Sequence, residues 1–264
     1  MLVMVERTRI GKTLQATRAD PRAVLVDVGG TLWSELSVPL TGDGQVVRAE
    51  YSVLNPADRH RAAWERRLVA IGVQDERVAE LCIQLNLALR PAVTSEYFDV
   101  WQAIREAAQI AGVVGIEADS IRGACCLPAK QFTSLLPGAR GLLAAFKQRG
   151  ARVVIASNAI WRKEADYWTD FRSFVIDGLI DAVVSSVDAC WRKPSNCFYD
   201  IALQQAGVPA EDCLMVGNSE ALDVAPAKAR GMAAIRGAIE EPLPAASSAD
   251  RVCGSLEEVP SARF

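Results

Sequence analysis

The stretch Ala23-Val24-Leu25-Val26-Asp27-Val28-Gly29-Gly30-Thr31-Leu32 decides how this chain is read. Ala23 to Val26 is a short, continuous apolar run of the kind a strand buried on both faces requires. The Gly29-Gly30 pair stops the strand in a tight loop and leaves Asp27 at its carboxyl end. By itself this pattern is weak, because an aspartate followed by glycines is most often only a turn. The rest of the chain supplies the weight.

Three later segments repeat the design. Ala151 to Ala156 ends at Ser157-Asn158, Ala182 to Val184 ends at Ser185-Ser186, and Cys213 to Val216 ends at Gly217-Asn218. Between them lie stretches of helical period, Ala139 to Gln148 closed by Gly150 and Asn196 to Gln205 closed by Gly207, as expected of crossover helices with glycine caps. The pattern predicts an α/β fold built on a doubly wound, Rossmann-type parallel sheet. Ligands of such sheets bind beyond the carboxyl ends of the strands, where Asp27, Ser157, Asn158 and Asn218 converge.

From residue 35 to 134 the alternation lapses. A turn sequence, Thr41-Gly42-Asp43-Gly44, suggests a hairpin. Beyond it, Trp64, Leu68 and Ile71 share one helical face, as do Val78, Leu81, Cys82 and Leu85, and then Phe98, Trp101, Ile104 and Ala108. These stripes predict the core of a mostly helical insert able to close over the strand ends and exclude water. The expected organisation is an N-terminal arm at 1–22, an α/β core at 23–34 and 135–264, and a helical cap at 35–134. Glu240 to Ala249, rich in Pro, Ala and Ser, reads as a surface loop.

Composition narrows the chemistry. A net charge of −3, from 29 basic and 32 acidic residues, provides no extended basic face for nucleic acid or an anionic membrane. Seven scattered cysteines form neither a disulfide framework nor a CxxC knuckle, which points to a reducing, cytoplasmic setting. A single histidine, His60, disfavours Ser/His/Asp machinery and zinc. Gly11-Lys12-Thr13 lacks the strand and upstream glycine of a P-loop. The N-terminus has no signal-peptide pattern, and the expected partner is a small-molecule substrate. Oligomeric state is not readable.

Carboxylate chemistry remains. Asp27, beside a glycine turn that exposes N–H groups, can attack an electrophilic phosphorus or carbon, with Gly30 and Thr31 holding displaced charge. Ser157 and Asn158 suit phosphate oxygens, and Lys193 can neutralise a phosphoryl group. Asp27, Asn218 and Asp223 can surround one hard cation, best Mg²⁺ with several waters retained.

Four motifs, Asp27-Val28-Gly29-Gly30-Thr31-Leu32, Ser157-Asn158, Arg192-Lys193-Pro194 and Gly217-Asn218 through Asp223, stand in the order and spacing of the haloacid dehalogenase (HAD) superfamily, which the chain resembles from about residue 23 to 260. The helical insert sits where that family's C1-type cap belongs. The resemblance implies a covalent intermediate on Asp27, a substrate held by Ser157 and Lys193, and, for most members, Mg²⁺-dependent phosphate-ester hydrolysis. The metal ligands would be Asp27, the Gly29 carbonyl and Asn218, assisted by Asp223.

Two positions depart from the family pattern. The usual second aspartate, which protonates the leaving oxygen, is Gly29, and an aspartate usual in metal-dependent members is Asn218. Loss of such an acid costs about 10²- to 10⁴-fold for a basic leaving group and much less for one that departs as an anion. The reading is therefore a Mg²⁺-dependent phosphatase favouring good leaving groups. The alternatives are metal-independent dehalogenase-type or phosphonate hydrolysis, and a catalytically weak binding or regulatory protein. Trp33, Trp161 and Trp191 follow or precede the motifs closely and, where they do not pack separately, would rim one partly apolar mouth.

Overall fold

The computed structural model describes residues 20–34, 58–240 and 242–261. Most of the N-terminal arm, Gly11-Lys12-Thr13 and the turn at Thr41 to Gly44 lie outside the described residues. Strand β1 is Ala23–Val26, followed by four helices, α1 (Asp58–Ala70), α2 (Asp75–Ala88), α3 (Val100–Ile110) and α4 (Ala118–Cys125). The chain then alternates through α5 (Ala139–Gln148), β2 (Arg152–Ser157), α6 (Glu164–Phe174), β3 (Ala182–Ser185), a short α7 (Ser186–Ala189) and α8 (Asn196–Ala206). It closes with β4 (Cys213–Gly217), one π-helical turn at Glu220–Val224, α9 (Ala225–Ala229), β5 (Ala233–Gly237) and β6 (Arg251–Cys253).

All six strands are parallel, in the order β3-β2-β1-β4-β5-β6. The chain leaves β1 toward β2 and β3 on one side and returns to β4 on the other, so the topological switch point lies between β1 and β4. Asp27 stands there, its N–H donating to the Val216 carbonyl at 2.9 Å. The period of two along β1 divides its side chains between two cores. Val24 and Val26 pack with Leu142, Phe146 and Phe171 of α5 and α6, whereas Ala23 and Leu25 pack with Phe198 and Ala202 of α8. Burial on both faces is why β1 is a continuous apolar run.

Helices α1 to α4 form the cap around their own core. Trp64, Leu68, Val78, Leu81, Cys82, Leu85, Ile104 and Ala108 are buried there, with Ile71, Phe98 and Trp101 packed alongside. Ile160 and Val187, just beyond β2 and β3, belong to the same cluster, so the cap sits on the carboxyl edge of the sheet. Polar contacts fix that seat. Arg122 of α4, 3 % exposed, pairs with Asp119 at 2.8 Å and with Asp166 of α6 at 2.6 Å, and donates to the Trp161 carbonyl.

The sheet is wider than the four strands the sequence patterns predict, because β5 and β6 join its far edge. Arg236 and Arg251 interrupt their apolar character. Among the described residues no helix is long and apolar enough to cross a membrane.

Candidate active site

The loop after β1 is built to present one carboxylate. Gly30 has φ +67°, a conformation that favours glycine. Its N–H donates to the Trp33 carbonyl at 2.9 Å, while the Val28 carbonyl accepts from Thr31, Leu32 and Trp33. The Val28 and Gly29 N–H groups have no protein acceptor among the described residues, and both residues line the cavity beside Asp27. They are the donors available to a developing negative charge. Gly30 and Thr31, expected to touch substrate, instead lie behind the loop. The Gly30 N–H is spent on Trp33, and the fully buried Thr31 hydroxyl donates to Asp27 Oδ2 at 3.1 Å, fixing the carboxylate's orientation.

Lys193 Nζ lies 2.6 Å from Asp27 Oδ1 and 2.6 Å from Asp223 Oδ1. Asp223 is 1 % exposed, and its other oxygen accepts the Ser219 N–H at 3.0 Å. The π-helical turn carries Asp223 inward. Tyr199 of α8 donates to the Leu222 carbonyl at 2.6 Å and braces that turn, and burial holds the Tyr199 phenol above its usual range. Gly217 makes the approach possible, since a Cβ there would lie 2.5 Å from Asp223 Oδ2.

Burial disfavours the charge on Lys193, but Asp223 and Asp27 outweigh it and hold the ammonium above its ordinary range. Asp223 moves the other way from a free carboxylate. Burial, resisted by Lys193 and reinforced by Asp27, pushes it up to about 6. One lysine shared by two buried carboxylates leaves one of them under-compensated.

Ser157 lines the cavity, its hydroxyl 2.7 Å from the Tyr167 hydroxyl. Asn158, expected on substrate, has a different task. Its Oδ1 accepts the Lys193 N–H at 2.8 Å and its Nδ2 donates to the Lys193 carbonyl at 3.0 Å, clamping the peptide that carries the lysine. The three tryptophans do not share a mouth. Trp33 is 2 % exposed and stacks on Tyr167 at 5.9 Å and 14°; Trp191 packs on Tyr97 at 5.0 Å, outside the cavity lining. Trp33 and Trp161 both line the cavity, and Trp161 stands edge-on to Trp64 of the cap at 5.5 Å.

The cavity holds about 740 Å³ between the strand ends and the cap segment Thr94 to Glu96. Asn218 and Gly29 face it together with Asp27. Among the described residues no three His, Cys, Asp or Glu side chains gather as a metal cluster. Two further members of the wall are Tyr167, which sequence reasoning did not single out, and Arg192, which appears there only as part of the Arg192-Lys193-Pro194 motif with no role of its own.

Solved structures share this architecture at low identity. A HAD phosphatase of Thermococcus onnurineus matches with TM-score 0.57 and 16 % identity over 91 % of this chain and 96 % of its own. A 2-haloacid dehalogenase of Pseudomonas syringae pv. tomato matches with TM-score 0.56 and 16 % identity over 91 % and 97 %. YfnB, a HAD-hydrolase of Bacillus subtilis bound to magnesium, matches with TM-score 0.52 and 15 % identity over 91 % and 97 %. No curated protein matches the sequence significantly. The haloacid dehalogenase-like hydrolase model matches residues 21–231, and on that match, with the strand-end cluster in place, the chain belongs to the haloacid dehalogenase-like hydrolase family.

Proposed function

We propose that this hydrolase is a phosphatase of small metabolites whose leaving group departs as an anion, such as acyl or aryl phosphates. The observation that carries the proposal is the arrangement around Asp27. Thr31 and Lys193 orient its two oxygens, Val28 and Gly29 offer N–H groups beside it, and position 29 supplies no acid. An Asp27 oxygen attacks phosphorus, the bond to the leaving oxygen breaks with its electron pair, and Lys193 and the loop N–H groups balance the charge on the phosphoryl oxygens. Water then attacks the phosphorus of the aspartyl phosphate and regenerates Asp27. Without an acid at position 29, the first step is fast only for leaving groups that need no proton.

The residues that would hold a Mg²⁺ ion keeping several waters are Asp27, the Gly29 carbonyl and Asn218, which belong to one wall, with Asp223 beside them on the same wall and bound to Lys193. Bound there, the ion would neutralise phosphoryl charge. A neutral amide at 218 makes it a weaker site than one with a second carboxylate.

A second reading, metal-independent cleavage of a carbon–halogen bond, is favoured by the same cluster. Lys193 already balances one of the two carboxylates, and halide leaves unprotonated. Phosphate release from acyl, aryl and alkyl phosphates, measured with Mg²⁺ and with EDTA against Asp27→Asn, separates the readings. The phosphatase predicts Mg²⁺-stimulated turnover that falls steeply as the leaving group becomes more basic. Silence on phosphates with halide release that survives EDTA would overturn it in favour of the second.

A further inference from the structure

Arg192 is a half-buried guanidinium on the cavity wall. Its Nη1 donates to the Ala159 carbonyl at 2.7 Å and to Ser186 Oγ at 3.2 Å, which anchors the group. Its backbone N–H donates to the Glu96 carbonyl of the cap at 2.8 Å, so the residue sits on the seam between cap and sheet. The Nε and Nη2 edge, the fork that matches a carboxylate bidentately, has no protein acceptor among the described residues. The other arginines of the wall are engaged: Arg162 with Asp170 at 2.7 Å, and Arg236 with Glu220 at 3.6 Å. Burial lowers the Arg192 guanidinium to about 10, the mark of a charge desolvated without a carboxylate partner.

Position distinguishes this cation from Lys193. Ala159 and Ser186 follow β2 and β3, whereas Asp27 follows β1, and neighbouring strands lie about 4.8 Å apart. The fork is therefore displaced from the attacking carboxylate by roughly one to two strand spacings. A single phosphoryl group held by Lys193 and the loop would leave it unmatched.

We propose that Arg192 is the receptor for a second anionic group, a carboxylate, on the substrate that Asp27 attacks. The inference rests on Asp27 as the nucleophile and names the substrate class. That class is a small acid whose carboxylate lies several bonds from the reacting centre, its body passing along Trp161 between the two cationic ends.

The test uses two non-hydrolysable probes that differ only in charge, 4-carboxyphenylphosphonate and its 4-carbamoyl analogue, titrated calorimetrically into the wild-type protein and R192K. Lysine keeps a cation for Ala159 and Ser186 but loses the fork. The wild type is expected to bind the carboxylate at least about tenfold tighter, and R192K to reduce that preference below about threefold. Equal binding of the two probes, no binding of either, or a preference retained in R192K overturns the assignment. The wild-type comparison stands whether or not R192K folds. The matching aryl phosphates isolate the underlying reading: a carboxylate preference without phosphate release supports Arg192 and refutes the phosphatase.

Discussion

Replacing Asp223 with asparagine keeps the side chain's shape and removes one of the two charges that share Lys193. The structure gives the consequence a sign. Asp223 titrates from 3.8 when exposed to about 6 when buried, a rise of about two units, or about 3 kcal/mol at 1.36 kcal/mol per unit. A folded-state pKa above the unfolded one stabilises the native state fully below the unfolded pKa, and that contribution is lost as pH rises through the folded pKa. About 2 of the 3 kcal/mol should disappear between roughly pH 4.5 and 7.5. Urea unfolding of wild type and D223N, followed by tryptophan fluorescence across that range, isolates the term as the difference between the two proteins. Wild-type stability minus that of D223N should fall by about 2 kcal/mol as pH rises. A difference that stays flat or grows would show that Lys193 more than compensates the ionised carboxylate, and would refute the argument that two acids exhaust one lysine.

Two further substitutions probe the same cluster. Gly217→Ala places a methyl group against the Asp223 side chain, so it should cost about 1–3 kcal/mol in unfolding free energy and displace Lys193, lowering kcat more than KM is raised; unchanged stability would contradict the close approach. Gly29→Asp restores an acid beside Asp27, and steady-state assays should show at least a tenfold gain on alkyl phosphates with a smaller gain on aryl phosphates; equal gains would sink the missing-acid argument.

The parts legible in sequence were those where local pattern and tertiary role coincide. β1 reads as a strand because it is buried on both faces, and α5 spans Ala139–Gln148 as its period predicts. Asp27, Lys193 and Asp223 are recoverable because each follows a strand or a turn of recognisable composition, and the fold brings both carboxylates within hydrogen-bonding distance of the Lys193 ammonium. Side-chain direction was not legible. Asn158 carries donors and acceptors that suit a phosphate equally well as a peptide, and only the spatial neighbourhood of β2 and the Lys193 loop shows that the peptide takes them. Thr31 is similar, since a hydroxyl four residues from Asp27 can face the substrate or the carboxylate. Closeness to the motifs places Trp33, Trp161 and Trp191 at one mouth, and the fold brings Trp33, stacked on Tyr167, and Trp161 to the cavity wall but turns Trp191 against Tyr97 outside it. β6, three residues beginning with an exposed arginine, has no periodicity to read.

The most direct test of the central claim is a rapid-quench experiment with ³²P-labelled acetyl phosphate and Mg²⁺, followed by peptide mapping. Acid-stable label on the peptide carrying Asp27, absent in Asp27→Asn, is the predicted result. Turnover with label on another residue, or turnover that persists in Asp27→Asn, would contradict the assignment of Asp27 as the nucleophile.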